Sequence, residues 1–226
     1  MAPRPRALAT FALLACLVPV GPASAGVVDV QIQLPVLQKI DVTGMRRILV
    51  GGFRSNDDPT VDIDVEYADY LRDMLRKKST FEIIDADAPP LPEQELAAIV
   101  RNSSYWKRLG ERFSADLIIA GVLTFDRTDK SGFMQEDIIS PVTGQRYRRT
   151  RYAEREGFNL GSTLYFFKGE TGELLYEQHL TEEAVYDGRG TDGLSVLHQL
   201  AARSAPEILG VLMPRQKIET RYLFDE

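Results

Sequence analysis

Apolar residues in this chain form short runs and alternations that switch between the period of a strand and that of a helix. An extended lead covers 27–34. The segment Ile48-Leu49-Val50-Gly51-Gly52-Phe53 is apolar at successive positions, as in a strand covered on both faces. After it, Val61 to Tyr67 alternates like a strand, yet Val65, Ala68, Leu71 and Leu75 share one helical face. Acids near the start and Arg72, Arg76, Lys77 and Lys78 near the end suit the helix dipole, so the pattern predicts a helix over 62–78. Phe81-Glu82-Ile83-Ile84 reads as a second strand. Pro89-Pro90-Leu91-Pro92 is a rigid break, and Pro92 is placed to open a helix carrying Leu96, Ile99 and Val100. Ser103 is a good N-cap for a further helix presenting Trp106, Leu109 and Phe113. The strongest strand, 117–123, follows. Strand, helix, strand, helices, strand implies right-handed crossovers and a largely parallel core.

The second half changes character. A hairpin is expected over 134–152 around Pro141-Val142-Thr143-Gly144, then a long strand with Phe158, Leu160, Leu164 and Phe166 on one face. The turn Lys168-Gly169-Glu170-Thr171-Gly172 leads into another strand with Leu174, Tyr176 and Leu180 facing inward. A last helix carries Leu194, Leu197, Ala201, Ile208 and Leu212, with Pro206 expected to interrupt or kink it, and the tail 217–224 can add an edge strand. The expected fold is one mixed α/β domain, a partly parallel sheet flanked by helices, with a protruding hairpin at about 131–155.

The ends and the charge narrow the setting. Arg4 and Arg6 precede an apolar stretch over 7–20, followed by Gly21, Pro22 and Ala23-Ser24-Ala25. That is the pattern of a secretory signal cleaved after Ala25, and the run is too short and too broken by Pro19 and Pro22 for a retained anchor. The expected organisation is a signal over 1–25, an extended lead over 26–44 and the α/β domain over 45–226. The one cysteine, Cys16 in Leu13-Leu14-Ala15-Cys16, also resembles a lipidation site, an alternative left open. Cleavage after Ala25 leaves 25 basic against 33 acidic side chains and no thiol, excluding disulfides and Cys-ligated metals. No transmembrane segment remains in that chain, which is placed in the periplasm or at the outer membrane. The acidic balance argues against nucleic acid as a partner.

Candidate chemistry is sparse. Gly188-Arg189-Gly190-Thr191-Asp192-Gly193 spells G-x-G-x-x-G between a strand and a helix, but too near the chain end for a dinucleotide site. It reads as a loop with Thr191 or Asp192 capping the helix; the alternative is a ligand-binding or catalytic α/β domain that holds an anion at Gly188, Gly190, Thr191 and Gly193. His179 and His198 lack metal-ligand spacing, and the pairs Asp62/Asp64 and Asp85/Asp87 lack a calcium-loop pattern. No serine elbow occurs. No metal, cofactor or catalytic residue is expected. The most distinctive surface feature is Arg146-Tyr147-Arg148-Arg149-Thr150-Arg151-Tyr152. With Val142 and Thr143 in the turn, Asp137 opposes Arg148, Glu136 opposes Arg149 and Ile138 opposes Tyr147. Arg146 and Arg151, lacking opposed acids, are the expected partner-facing charges, in a face that includes Tyr147, Arg148, Arg149 and Tyr152.

The order of segments, Val50-Gly51-Gly52-Phe53, then Ala68-Asp69-Tyr70-Leu71, Phe81-Glu82-Ile83-Ile84-Asp85, Gly110 with 115–121, and Thr171-Gly172-Glu173-Leu174-Leu175, resembles a group of bacterial envelope domains. These are the curli-channel protein CsgG, the lipoprotein LpoB and the N-terminal domain of TolB; the likeness spans 45–212. It implies a non-enzymatic envelope protein that binds another protein in an outer-membrane or secretion assembly, and leaves a homo-oligomer open. No propeller repeats follow, and arginines on both faces of the second hairpin strand argue against a membrane-spanning hairpin.

Overall fold

Ile48, Leu49 and Val50 are each fully buried, as a strand between two helical layers requires. The computed structural model describes residues 27–56, 62–86 and 89–224; the expected signal, Cys16 and Asp87 lie outside them. The elements are β1 (Val27–Val36), β2 (Arg47–Ser55), α1 (Ile63–Lys78), β3 (Glu82–Ile83), α2 (Leu96–Arg101), α3 (Ser103–Phe113), β4 (Leu117–Asp129), β5 (Gly132–Ile139), β6 (Arg146–Ala153), β7 (Arg155–Lys168), β8 (Leu174–Asp187), α4 (Gly193–Leu212) and β9 (Arg215–Phe224). Two compact units divide the chain, one of the chain ends through Leu34 and from Lys217, the other Pro35–Gln216. In the first, β1 pairs with β9. Its Val30, Ile32 and Leu34 are half-buried while Asp29, Gln31 and Gln33 are exposed, the alternation of a one-sided strand.

The larger unit holds a five-stranded sheet in the order β3-β2-β4-β7-β8. β2 runs parallel to β3 and β4, while β7 is antiparallel to β4 and to β8. The sheet is therefore mixed, parallel in the first half and antiparallel in the second. Alternate residues face opposite layers. Ile48, Val50, Ile119, Leu164 and Phe166 meet α1 and α4, whereas Leu49, Ile118, Tyr165 and Phe167 meet α2 and α3 through Ile99, Trp106 and Leu109. Register shifts between Val50 and Phe53, across Gly51-Gly52, which returns Phe53 to the α1 side. A Cβ on Gly52 would stand 2.6 Å from the Pro89 carbonyl oxygen, so the proline segment crosses the strand only over glycine. The expected α/β fold, with its partly parallel sheet and separate hairpin, is the observed one.

Four local expectations need correction. Pro92 does not open a helix; α2 begins at Leu96, because the Arg54 guanidinium takes the carbonyls of Pro92 and Gln94 and holds that segment outside helical pairing. Asn102, not Ser103, caps α3, its side chain accepting the Tyr105 N–H at 3.1 Å. Leu174 faces the α3 layer, since the ladder shifts between Phe166–Tyr176 and Phe167–Leu174 and leaves Leu175 extra. Finally, α4 continues through Pro206. Pro206 and Ala202, whose carbonyl loses its partner, are both exposed, so the broken bond lies on the solvent side.

Candidate interaction site

The arginine run lies on β6, which pairs with β5 and with no other strand among the described residues. The register is the one the sequence predicts, with Asp137 opposite Arg148, Glu136 opposite Arg149 and Ile138 opposite Tyr147. The turn is closed by the Ser140 N–H donating to the Gln145 carbonyl at 2.9 Å, with Gly144 at φ +70°. Strand alternation places Phe133, Ile139, Arg146, Arg148 and Tyr152 on one face and Met134, Ile138, Tyr147, Arg149 and Arg151 on the other. Phe133 and Tyr152 meet edge to face, centroids 5.5 Å apart.

Ion pairing departs from direct opposition. Arg148 pairs with Asp137 at 3.5 Å, but Glu136 takes Arg151, one step along the diagonal, at 3.1 Å. Diagonal neighbours are within reach of a side chain as long as arginine. Arg151 is thus a paired charge. Among the described residues, no carboxylate pairs with Arg146 or Arg149, and these two are the uncompensated cations. Apolar exposure accompanies them: Val142 is 91% exposed, Phe133 80% and Ile139 61%.

The hairpin's base and the glycine loop come together. The Gly188 N–H donates to the Glu154 carbonyl at 2.7 Å, and Arg189 reaches Asp129 at 3.3 Å and Glu154 at 3.9 Å. Arg155 pairs with Asp187 at 2.8 Å. Gly188 and Gly190 have φ of +92° and +83°, a backbone glycine adopts without strain. The Thr191 N–H donates to the Glu156 carboxylate at 3.0 Å, and Asp192 caps α4 by accepting the Ser195 N–H at 3.1 Å. The chain's own Glu156 therefore occupies loop donors that an outside anion would need. That carboxylate, 35 residues earlier, is a partner no local motif reveals.

The carboxyls of this junction titrate low. Asp129 is held below the usual range by the Ser131 hydroxyl and N–H, Glu156 by the Thr191 and Gly190 N–H groups, Asp187 by the Arg155 guanidinium, and Asp192 by the Ser195 hydroxyl and N–H. A carboxyl with a lowered folded pKa stabilises the fold fully above its unfolded value, about 3.9–4.3, and ceases to do so as pH falls through the folded value. Glu156→Gln is therefore expected to lower the melting temperature by a few degrees at pH 7. The gap to wild type should narrow as pH falls below the unfolded value, about 4.3, and close only once pH has passed the lowered folded value. A gap of the same size at low pH would contradict this.

Other candidates resolve to ordinary roles. His179 Nδ1 lies 3.0 Å from the Thr163 hydroxyl, and His198 stacks on Tyr70 at 6.1 Å and faces Glu66 at 3.5 Å. The Asp62 carboxyl is pushed up by its hydrogen bond to Asp64. Among the described residues, no cluster of three His, Cys, Asp or Glu could hold a metal, and no helix is long and apolar enough to cross a membrane. A cleft of about 260 Å³ lies at the carboxyl end of β2, where α/β sheets hold ligands. Its one guanidinium, Arg72, gives Nη1 to Asp69 at 2.5 Å while its buried Nε has no partner among the described residues, and Asp64 and Asp69 together leave the cleft net negative, a poor cradle for an anion.

The mixed α/β unit thus carries a cationic, partly apolar hairpin held at its base by ion pairs. No family model and no curated protein matches this chain. Among solved structures it is similar to the PelC dodecamer from Paraburkholderia phytofirmans, at 14% identity over 84% of this chain and 100% of that one, TM-score 0.38. It is similar to lipoprotein GNA1162 from Neisseria meningitidis, at 11% identity over 73% and 98%, TM-score 0.37. The LpoB C-terminal domain from Salmonella enterica matches at 10% identity over 61% and 82%, TM-score 0.32. LpoB is also one of the three proteins that the order of sequence segments resembles.

Proposed function

We propose that this is an exported, non-enzymatic bacterial envelope protein that binds another protein through the β5–β6 hairpin and the adjoining loop over 188–193. The observation that supports this most is the hairpin surface. Arg146 and Arg149 have no carboxylate partner among the described residues; Phe133 and Ile139 stand exposed on the Arg146 face, Tyr147 on the Arg149 face and Val142 at the turn. Uncompensated guanidinium groups beside exposed aromatic and aliphatic side chains are the composition of a protein-contact patch. The competing reading, an anion held by Gly188, Gly190, Thr191 and Gly193, loses support from Glu156. Placement in the periplasm or at the outer membrane rests on the signal pattern of residues 1–25, with Cys16 the alternative lipid attachment point.

The test is capture from detergent-solubilised envelope extract. Wild type is expected to retain at least one envelope protein that Arg146→Glu/Arg149→Glu retains about tenfold less, a difference of 1.4 kcal/mol. Identical captured proteins for the two chains would overturn the reading.

A further inference from the structure

We propose that a second copy of this chain lays the free edge of its β6 along the free edge of β8, joining chains head to tail. This rests on the reading of the hairpin as a protein-binding element and names its partner. β8 ends the five-stranded sheet; β7 lies on one side, and no described strand pairs on the other. It has 14 residues, Leu174–Asp187, whereas the opposite edge, β3, has two. An edge strand of that length offers a row of unpaired N–H and C=O groups, and proteins usually blunt such a row with lysine, proline or a bulge. β8 contains no Lys, Arg, Pro or Gly, and from Tyr176 to Asp187 its ladder with β7 has no irregularity. Arg203 takes the Glu183 carbonyl at 2.8 Å, and the Gln178 side chain takes that of His179 at 3.1 Å. These cover two acceptors of the strand.

The charges then select the occupant. β8 carries Glu177, Glu182, Glu183 and Asp187. Asp187 is paired with Arg155, and Glu177 lies 3.2 Å from His179, but no cation among the described residues pairs with the side chains of Glu182 or Glu183. Consecutive residues point to opposite faces, so each face of the strand has one such carboxylate. β6 is the complement: eight residues with four arginines, its uncompensated Arg146 and Arg149 also on opposite faces. Two β8 edges laid together set carboxylate against carboxylate, and two β6 edges set arginine against arginine, both unfavourable. One of each pairs opposite charges on both faces. Val185, 53% exposed, and Tyr147, 48% exposed, add an apolar residue to each side. Because the two edges differ, the contact is heterologous, and every chain keeps one edge of each kind for the next.

Two variants test this with the chain purified in its naturally processed form. Arg146→Glu/Arg149→Glu spoils the hairpin edge, and Glu182→Lys/Glu183→Lys spoils the sheet edge. Unchanged circular dichroism and melting temperature establish that both fold. By light scattering after size exclusion at low salt, wild-type mass is expected to rise with concentration, and each variant alone to stay monomeric. An equimolar mixture of the two should assemble again as wild type does, because the sound β6 and β8 edges pair and the two reversed edges, glutamate on β6 against lysine on β8, complement each other as well. About 0.5 M salt should dissociate that assembly, as exposed charges are then screened. A wild type that stays monomeric at every concentration, variants that assemble like wild type, or a mixture that stays monomeric would each overturn the proposal. If the mixture fails while the hairpin variant still loses an envelope protein in the capture assay, protein binding by the hairpin stands and the second copy falls.

Discussion

Trp106→Ala is expected to cost about 3–5 kcal/mol, the usual price of removing a large aromatic side chain from a packed interior. At 2–4 °C per kcal/mol for a chain of this size, the melting temperature should fall by roughly 10 °C. Trp106 is 2% exposed, and its ring stacks on Phe167 with centroids 3.9 Å apart and planes 12° from parallel. Its indole N–H donates to the Ile99 carbonyl at 2.9 Å, so the same side chain ties α3 to α2 and both to the sheet. The layer it fills is the smaller of the two, with Leu49, Ile99, Leu109 and Ile118 around it, and no larger neighbour stands ready to fill the void. Trp106→Phe keeps an aromatic contact and loses the hydrogen bond, so it should cost less than half as much. Urea unfolding followed by fluorescence and circular dichroism measures both; equal costs for the two variants would show that the stack contributes little.

Gly169→Ala is expected to destabilise by about 3 kcal/mol or more, as overpacking against groups that cannot yield does. A Cβ at Gly169 would fall on the carbonyl oxygen of Ala115, a backbone atom fixed at the entry to β4. Two further glycines share the arrangement. A Cβ on Gly110 would fall on the Gly169 carbonyl, and one on Gly172, at φ +71°, on the Ser103 carbonyl. Backbone thus meets backbone where α3 crosses the β7–β8 turn, and no side chain is available to swing aside. Gly144→Ala is the control: its φ is +70°, but nothing lies within 4 Å of the added methyl. It should cost only the left-handed conformation, about 1–2 kcal/mol. Denaturant midpoints that place the two alanine variants together would contradict the close approach.

The strands and helices that proved legible are those whose pattern reports burial directly. β2 and β4 are apolar at consecutive positions because helices cover both faces, and β7 alternates over 158–164 because Phe158, Leu160 and Leu164 are buried while Asn159, Gly161 and Thr163 are only half-buried. The hairpin register followed from a turn position and a period of two. What stayed hidden depends on contacts distant in sequence. Arg54, 38 residues before Pro92, decides that the proline segment is not a helix. One extra residue at Leu175 turns Leu174 to the other layer, and a one-residue irregularity leaves no mark on composition. In the site, the arginines were legible as a cluster. Their division into paired and unpaired was not, because Glu136 chooses the diagonal arginine over the opposite one.

Glu156 makes the loop after β8 self-contained in a way that bears on how the protein responds to its solvent. A dissolved phosphate or carboxylate competes there with a rival tethered to the same chain, present at an effective concentration on the order of millimolar or more. Swapping one buffer salt for another should therefore leave the turn unmoved, and only acid or loss of that side chain vacates the seat.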